Sequence, residues 1–161
     1  MHIPFQDLPE SSRVWIYQCN RTFSEQEQVL VKQKLETFLE NWSAHGIPLQ
    51  AGYEIPYNRF IVIAVNTATQ APTGCAIDAS VRLIQELEAD FKVDLLDRMN
   101  VSFKSGAFVA YKNLIDFKKM IKDKSVSAST IVFNNLVTNK AEYQNHWEVP
   151  MDQSWHSRYL K

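Results

Sequence analysis

Six consecutive apolar residues, Phe60-Ile61-Val62-Ile63-Ala64-Val65, constrain what this chain can fold into more than any other stretch. A run without polar interruption suits a strand covered on both faces, so Arg59 to Val65 reads as the centre of a sheet. Leu49 to Tyr57 reads as a strand interrupted near Gly52 and Pro56. It lies too close to the apolar run for a helical crossover, which leaves a hairpin turning at Pro56-Tyr57-Asn58 and disfavours a doubly wound parallel sheet.

The other elements follow from periodicity. Val14 to Cys19 has the β-branched and aromatic content of a strand, and Asn20 to Ser24 ends it. Ser24 and Glu27 have capping-box spacing, in which hydroxyl and carboxylate satisfy each other's orphan amides. The helix they open carries Val31, Leu35, Phe38, Leu39 and Trp42 on one face, with His45-Gly46 as last-turn side chain and left-handed cap. A second helix from about Cys75 to Phe91 presents Ile77, Val81, Ile84, Leu87 and Phe91 to the sheet. Val101 to Phe103 and Phe108 to Tyr111 predict a further hairpin. Leu114, Phe117, Lys118 and Ile121 predict a short third helix, and Thr130 to Phe133 a last strand. The tail, Asn145 to Pro150 and Ser154 to Tyr159, reads as irregular aromatic chain folding back over a core. Strand, helix, strand, strand, helix, strand matches a split βαβ, or ferredoxin-like, order. The expected fold is α+β: an antiparallel sheet with helices on one face, plus an appended hairpin, helix and strand.

A length of 161 residues predicts a single domain spanning 1–161. Seventeen basic and 18 acidic side chains give a net charge of −1, so no whole-molecule field recruits nucleic acid or an anionic membrane. Charge is local instead. Six acidic residues face three basic ones between Gly74 and Arg98, and Lys104 to Lys124 holds six lysines against Asp116 and Asp123, a pattern that reads first as solvated helix faces. No segment approaches the roughly 20 apolar residues of a membrane-crossing helix, and the opening residues lack signal-peptide regions, so a cytoplasmic location without membrane insertion is expected. Cys19 and Cys75 lack Cys-x-x-Cys spacing and read as reduced thiols. An exposed strand edge would let a second copy pair with the chain as a homo-oligomer.

Asn58 to Ala64, Gly74 to Ser80, Asp94 to Asn100, Thr130 to Leu136 and Ser154 to Arg158 together resemble a family of short bacterial hypothetical proteins often labelled "ABC transporter ATPase". The resemblance covers nearly the whole chain. It implies nucleotide binding and carries no catalytic residues over to these positions. Phosphate-binding loops need Gly-x-x-x-x-Gly-Lys-Ser/Thr, so that backbone amides and an ammonium surround the phosphates. Gly46, Gly52, Gly74 and Gly106 have no such spacing, and none precedes Lys-Ser/Thr. The apolar run ends in Asn66 rather than a magnesium-binding aspartate, so ATP hydrolysis is not expected.

Cys75 is the leading candidate for chemistry, because a thiol in the first turn of a helix feels that end's partial positive charge. Asp78 works against thiolate formation there. Asp78 and Ser80 are candidate ligand contacts at the same helix end, or satisfy its first-turn amides. Arg59 is a further candidate ligand contact, adjoining the apolar run. His146 and His156 are weak catalytic candidates, as bases that the tail could bring to Cys75. With Glu148 they offer metal-ligand types, but in no recurrent spacing, and neither a metal nor a cofactor is expected. Trp155 and Arg158 are residue types that anchor interfaces. The reading that follows is an uncharacterised, non-catalytic cytoplasmic domain acting through a protein partner or a small ligand. A Cys75-dependent enzyme and a nucleotide-binding protein are the alternatives.

Overall fold

The computed structural model describes residues 1–161 and has an α+β fold with antiparallel sheets. It divides into two compact units, Met1–Leu96 with Thr138–Ala141, and Asp97–Val137 with Glu142–Lys161.

The first unit contains β1 (Arg13–Gln18), α1 (Glu25–Asn41), β2 (Ser43–Ala44), β3 (Ile47–Pro48), β4 (Ala51–Glu54), β5 (Phe60–Val65) and α2 (Gly74–Phe91). The apolar run is the central strand of the order β1-β5-β4, and all six of its residues are buried. Its hairpin with β4 turns at Pro56–Asn58, where Tyr57 and Asn58 take φ of 56° and 54°. On one face Tyr17, Ile61, Ile63 and Val65 join Val31, Leu35 and Leu39 of α1 and Leu83, Ile84 and Leu87 of α2 in a common core. Each such aliphatic contributes about 1.5–3 kcal/mol by leaving water.

Both helices depart from the sequence pattern in detail. The Ser24–Glu27 capping box forms as expected. However, α1 stops at Asn41, with Trp42 as its C-cap at ψ 129°. His45 (φ 52°) and Gly46 (φ 74°) are not its last turn; they are the two-residue turn joining β2 to β3, whose register pairs Ala44 with Ile47. Positive φ at both positions is what a tight hairpin of matching twist needs. Helix α2 buries Ala76, Ser80, Leu83, Ile84 and Leu87, while Ile77, Val81 and Phe91 are only half-buried. Its inward face is rotated toward the small residues Ala76 and Ser80, which allow a closer approach to its neighbours.

The split βαβ order places a fourth strand beside β1. The strand expected there, β6 (Asn100–Ser105), does not take that place; its partners are β7 (Phe108–Asn113) and β8 (Ile131–Phe133). The β1 edge is met instead by Thr138 and Asn139, through a 3.0 Å bond from the Val14 amide to the Thr138 carbonyl and an Arg13–Asn139 bridge. At the other edge the Ile3 amide donates to the Ala51 carbonyl at 2.9 Å. Lys140, only 4% exposed, fastens this opening segment by donating to the carbonyls of Phe5, Gln6 and Leu8 at 3.1, 3.2 and 2.7 Å.

The second unit is a sheet in the order β7-β6-β8-β9, with β9 at Glu148–Pro150. Helix α3 (Leu114–Lys122) buries Phe117 among Val101, Phe103, Val126, Val132 and Met151. The tail is more regular than its sequence predicts. It forms α4 (Lys140–His146), β9 and two 3-10 turns, Met151–Gln153 and Trp155–Tyr159. A three-residue strand ending in proline has too few positions to show alternation. Met151 and Leu160 do fold back over the core, and Trp147 packs on Phe133 and Tyr143 with ring centroids 4.8 and 5.1 Å apart.

Candidate functional site

The first unit carries an open groove of about 580 Å³ where α1 ends and α2 begins. Local sequence explains each wall. Because α1 stops at Asn41, the chain turns through Trp42 and Ser43 into the β2–β3 hairpin, which brings His45 to the rim. Phe38 and Trp42 lie against each other with centroids 5.2 Å apart and supply the aromatic floor. Ala76 and Ala79 of α2 complete it, their small side chains leaving the space open. The indole nitrogen of Trp42 donates to the Ala76 carbonyl at 2.8 Å, fixing the floor to the first turn of α2. Thr37, Asn41, Ser43, His45, Thr73 and Cys75 form a polar rim. A smaller groove of about 370 Å³ extends along α1 and α2 past Thr37 and Phe38, toward Lys34 and Glu86.

Helix α2 opens with Thr73 as N-cap, its hydroxyl accepting from the Ala76 amide at 3.1 Å. Gly74 and Cys75 occupy the first two helical positions, ahead of the first intrahelical bond from Ile77 to Thr73, so their amides have no helical partner. Cys75 is exposed on the rim. Capping by Asp78 and Ser80 is not what the structure contains: Thr73 caps the helix, and Ser80, buried, donates its hydroxyl to the Ile77 carbonyl at 2.6 Å. Asp78 is exposed one turn into α2. Arg59 lies elsewhere. It is buried beside Cys19, with Nη2 3.4 Å from the Cys19 carbonyl, before β5, whereas Cys75 follows β5. Six strand residues carry the chain roughly 20 Å between them. Burial pushes the Cys19 thiol up from its ordinary value, with Arg21 and Arg59 opposing.

The two candidate histidines belong to the second unit. His146 is exposed at the end of α4. His156 is 1% exposed, with Nδ1 2.7 Å from the Ser154 hydroxyl and its ring edge-on to Phe117. Burial, with Arg158 beside it, lowers its pKa from 6.5 to about 4, so the ring is neutral near pH 7. The histidine that shares a groove with Cys75 is His45, which sequence reasoning assigned to helix capping. Phe38 and Trp42 were likewise legible only as the core stripe of α1. Their dual role depends on where that helix stops. No group of three or more His, Cys, Asp or Glu side chains is placed to hold a metal ion.

The groove lining holds no carboxylate, ammonium or guanidinium group. Its volume falls within the roughly 300–1,000 Å³ of small-molecule sites, and an aromatic floor with a few hydrogen-bonding groups is the usual composition of such sites. The fold and groove define an α+β protein with a cleft on the helical face of its first unit. No family model, curated protein or solved structure matches the chain.

Proposed function

We propose that the protein is a non-catalytic cytoplasmic binding domain that holds an uncharged small molecule in the groove between the end of α1 and the start of α2. The observation carrying this reading is the composition of that 580 Å³ groove: Phe38, Trp42, Ala76 and Ala79 below, with hydrogen-bonding side chains around them and no carboxylate, ammonium or guanidinium group. An apolar body would stack on the aromatic floor, and a carbonyl would reach the rim hydroxyls or the amides of Gly74 and Cys75. The absence of a phosphate-binding loop from the sequence argues against the ATPase activity that the family resemblance implies. Two unbonded thiols suit a reducing compartment. The test is amide chemical-shift mapping with indole and benzamide as neutral probes. Shifts should cluster at His45, Cys75, Ala76 and Ala79, and Ala79→Met should abolish them while preserving the rest of the spectrum. Shifts elsewhere, or an unaffected Ala79→Met variant, would overturn the reading.

A second reading has one specific observation behind it, the shared groove of Cys75 and His45. There the protein would use the Cys75 thiol as a nucleophile with His45 as its base, since His156 is buried and already bonded to Ser154. Alkylation of Cys75 by iodoacetamide at neutral pH would then outpace that of free cysteine and slow in His45→Gln. An ordinary rate, unchanged by that substitution, sinks it.

A further inference from the structure

We infer that the exposed face of α3 is a docking surface for an anionic lipid membrane, bound peripherally and without insertion of the fold. Ile115, Lys118, Lys119 and Lys122 follow the spacing that places side chains on one helix face, and all four are exposed, Ile115 by 70%. The opposite face, Leu114, Phe117, Met120 and Ile121, packs on the core of the second unit, so the stripe's direction is settled by packing. Lys112 precedes the helix and Lys124 follows it, both exposed.

These ammonium groups are not neutralised by the fold. The ion pairs Arg21–Glu27, Lys34–Asp90 and Lys104–Glu148 all lie off α3. The carboxylate of Asp116 is held by the Asn113 side-chain amide at 3.0 Å. Lys118 rests its ammonium over the Tyr159 ring at 4.8 Å, which orients it without cancelling its charge. The charge imbalance extends beyond the helix. The second unit has nine basic side chains against six acidic, whereas the first has eight against twelve.

The residue types select the partner. Protein interfaces favour arginine and disfavour lysine. Base reading favours the planar arginine fork and single-strand binding favours stacked aromatics, whereas the stripe offers point-charge ammoniums beside an aliphatic side chain. A cluster of four to eight lysines beside an exposed aliphatic side chain is the composition that anionic lipid attracts, the ammoniums meeting headgroups and the aliphatic entering the acyl boundary. The helix face carries three exposed lysines, the positions flanking the helix add Lys112 and Lys124, and Ile115 is the exposed aliphatic on that face.

Flotation with phosphatidylcholine vesicles, with and without phosphatidylserine, tests this on the full chain at low and high salt. Binding should require phosphatidylserine and fall with salt. Removing two charges by Lys119→Gln with Lys122→Gln should lower partitioning roughly thirtyfold, about fivefold per lysine. Ile115→Ser should lower it about tenfold at either salt. All three substitutions are at exposed positions, and circular dichroism verifies that the fold is kept. Equal binding to neutral vesicles, no binding, or lysine variants that bind like the parent chain would overturn the inference. Capture of poly-glutamate or a DNA duplex in preference to phosphatidylserine vesicles would overturn it equally.

Discussion

The indole nitrogen of Trp42 donates a buried 2.8 Å hydrogen bond to the carbonyl of Ala76, tying the residue that ends α1 to the first turn of α2. One contact therefore joins the end of α1 to the start of α2 at the floor of the groove. Trp42→Phe keeps an aromatic ring but removes the indole donor, leaving the Ala76 carbonyl with only its helical partner four residues on. Loss of that hydrogen bond costs about 0.5–1.5 kcal/mol, to be read as a lower urea midpoint at unchanged slope. The same variant should lose the indole and benzamide shifts at Ala76 and Ala79.

Gly52 has no space for a side chain. A Cβ there would lie 2.7 Å from the Ile3 carbonyl and 3.1 Å from the Phe5 Cα and nitrogen. These are backbone atoms that cannot step aside singly, so Gly52→Ala should push the opening segment off β4 and destabilise by about 1–3 kcal/mol. Hydrogen exchange checks the location: the Ile3 amide, bonded to Ala51 at 2.9 Å, should lose protection before the β5 amides do.

Stability should depend on pH through His156. Its folded pKa is lowered to about 4 by burial and by Arg158, against an ordinary value of 6.5. Between those values the unfolded chain takes up a proton that the folded chain refuses. This contribution is complete above the unfolded pKa and declines as pH falls toward the folded one, by about 3 kcal/mol in full. Urea unfolding across this range should show stability rising with pH, and His156→Gln should flatten the rise. An equal slope in the variant would assign the dependence to other groups.

The two thiols should differ sharply. Cys19 is 0% exposed and burial raises its pKa, whereas Cys75 is exposed on the groove rim. Titration of the native protein with an aromatic disulfide reagent should find one reactive thiol, and in denaturant two. Cys75→Ser should remove the native reaction. Rapid native labelling of Cys19 would mean that the Cys19–Arg59 end of the sheet opens readily.

Local physics made much of this fold legible. Phe60 to Val65 had to be a central buried strand, because six apolar side chains on alternating faces can be covered only from both sides. Pro56 to Asn58 had to turn, and Ser24 with Glu27 had to open a helix, since each acts within a few residues. The antiparallel α+β architecture followed from their order. What tertiary structure decided were matters of partnership. Periodicity cannot choose between strand edges, so β6 joined β7 and β8 while Thr138 and Asn139 met β1. Nor can composition say where an apolar stripe stops. Trp42 is the C-cap of α1, with its indole on the Ala76 carbonyl and a hairpin turn at His45-Gly46 beyond it. The groove exists through that early ending, and its residues lie far apart in sequence, from Thr37 to Ala79. Helix and strand signals arise from neighbours along the chain, whereas a binding surface arises from neighbours in space.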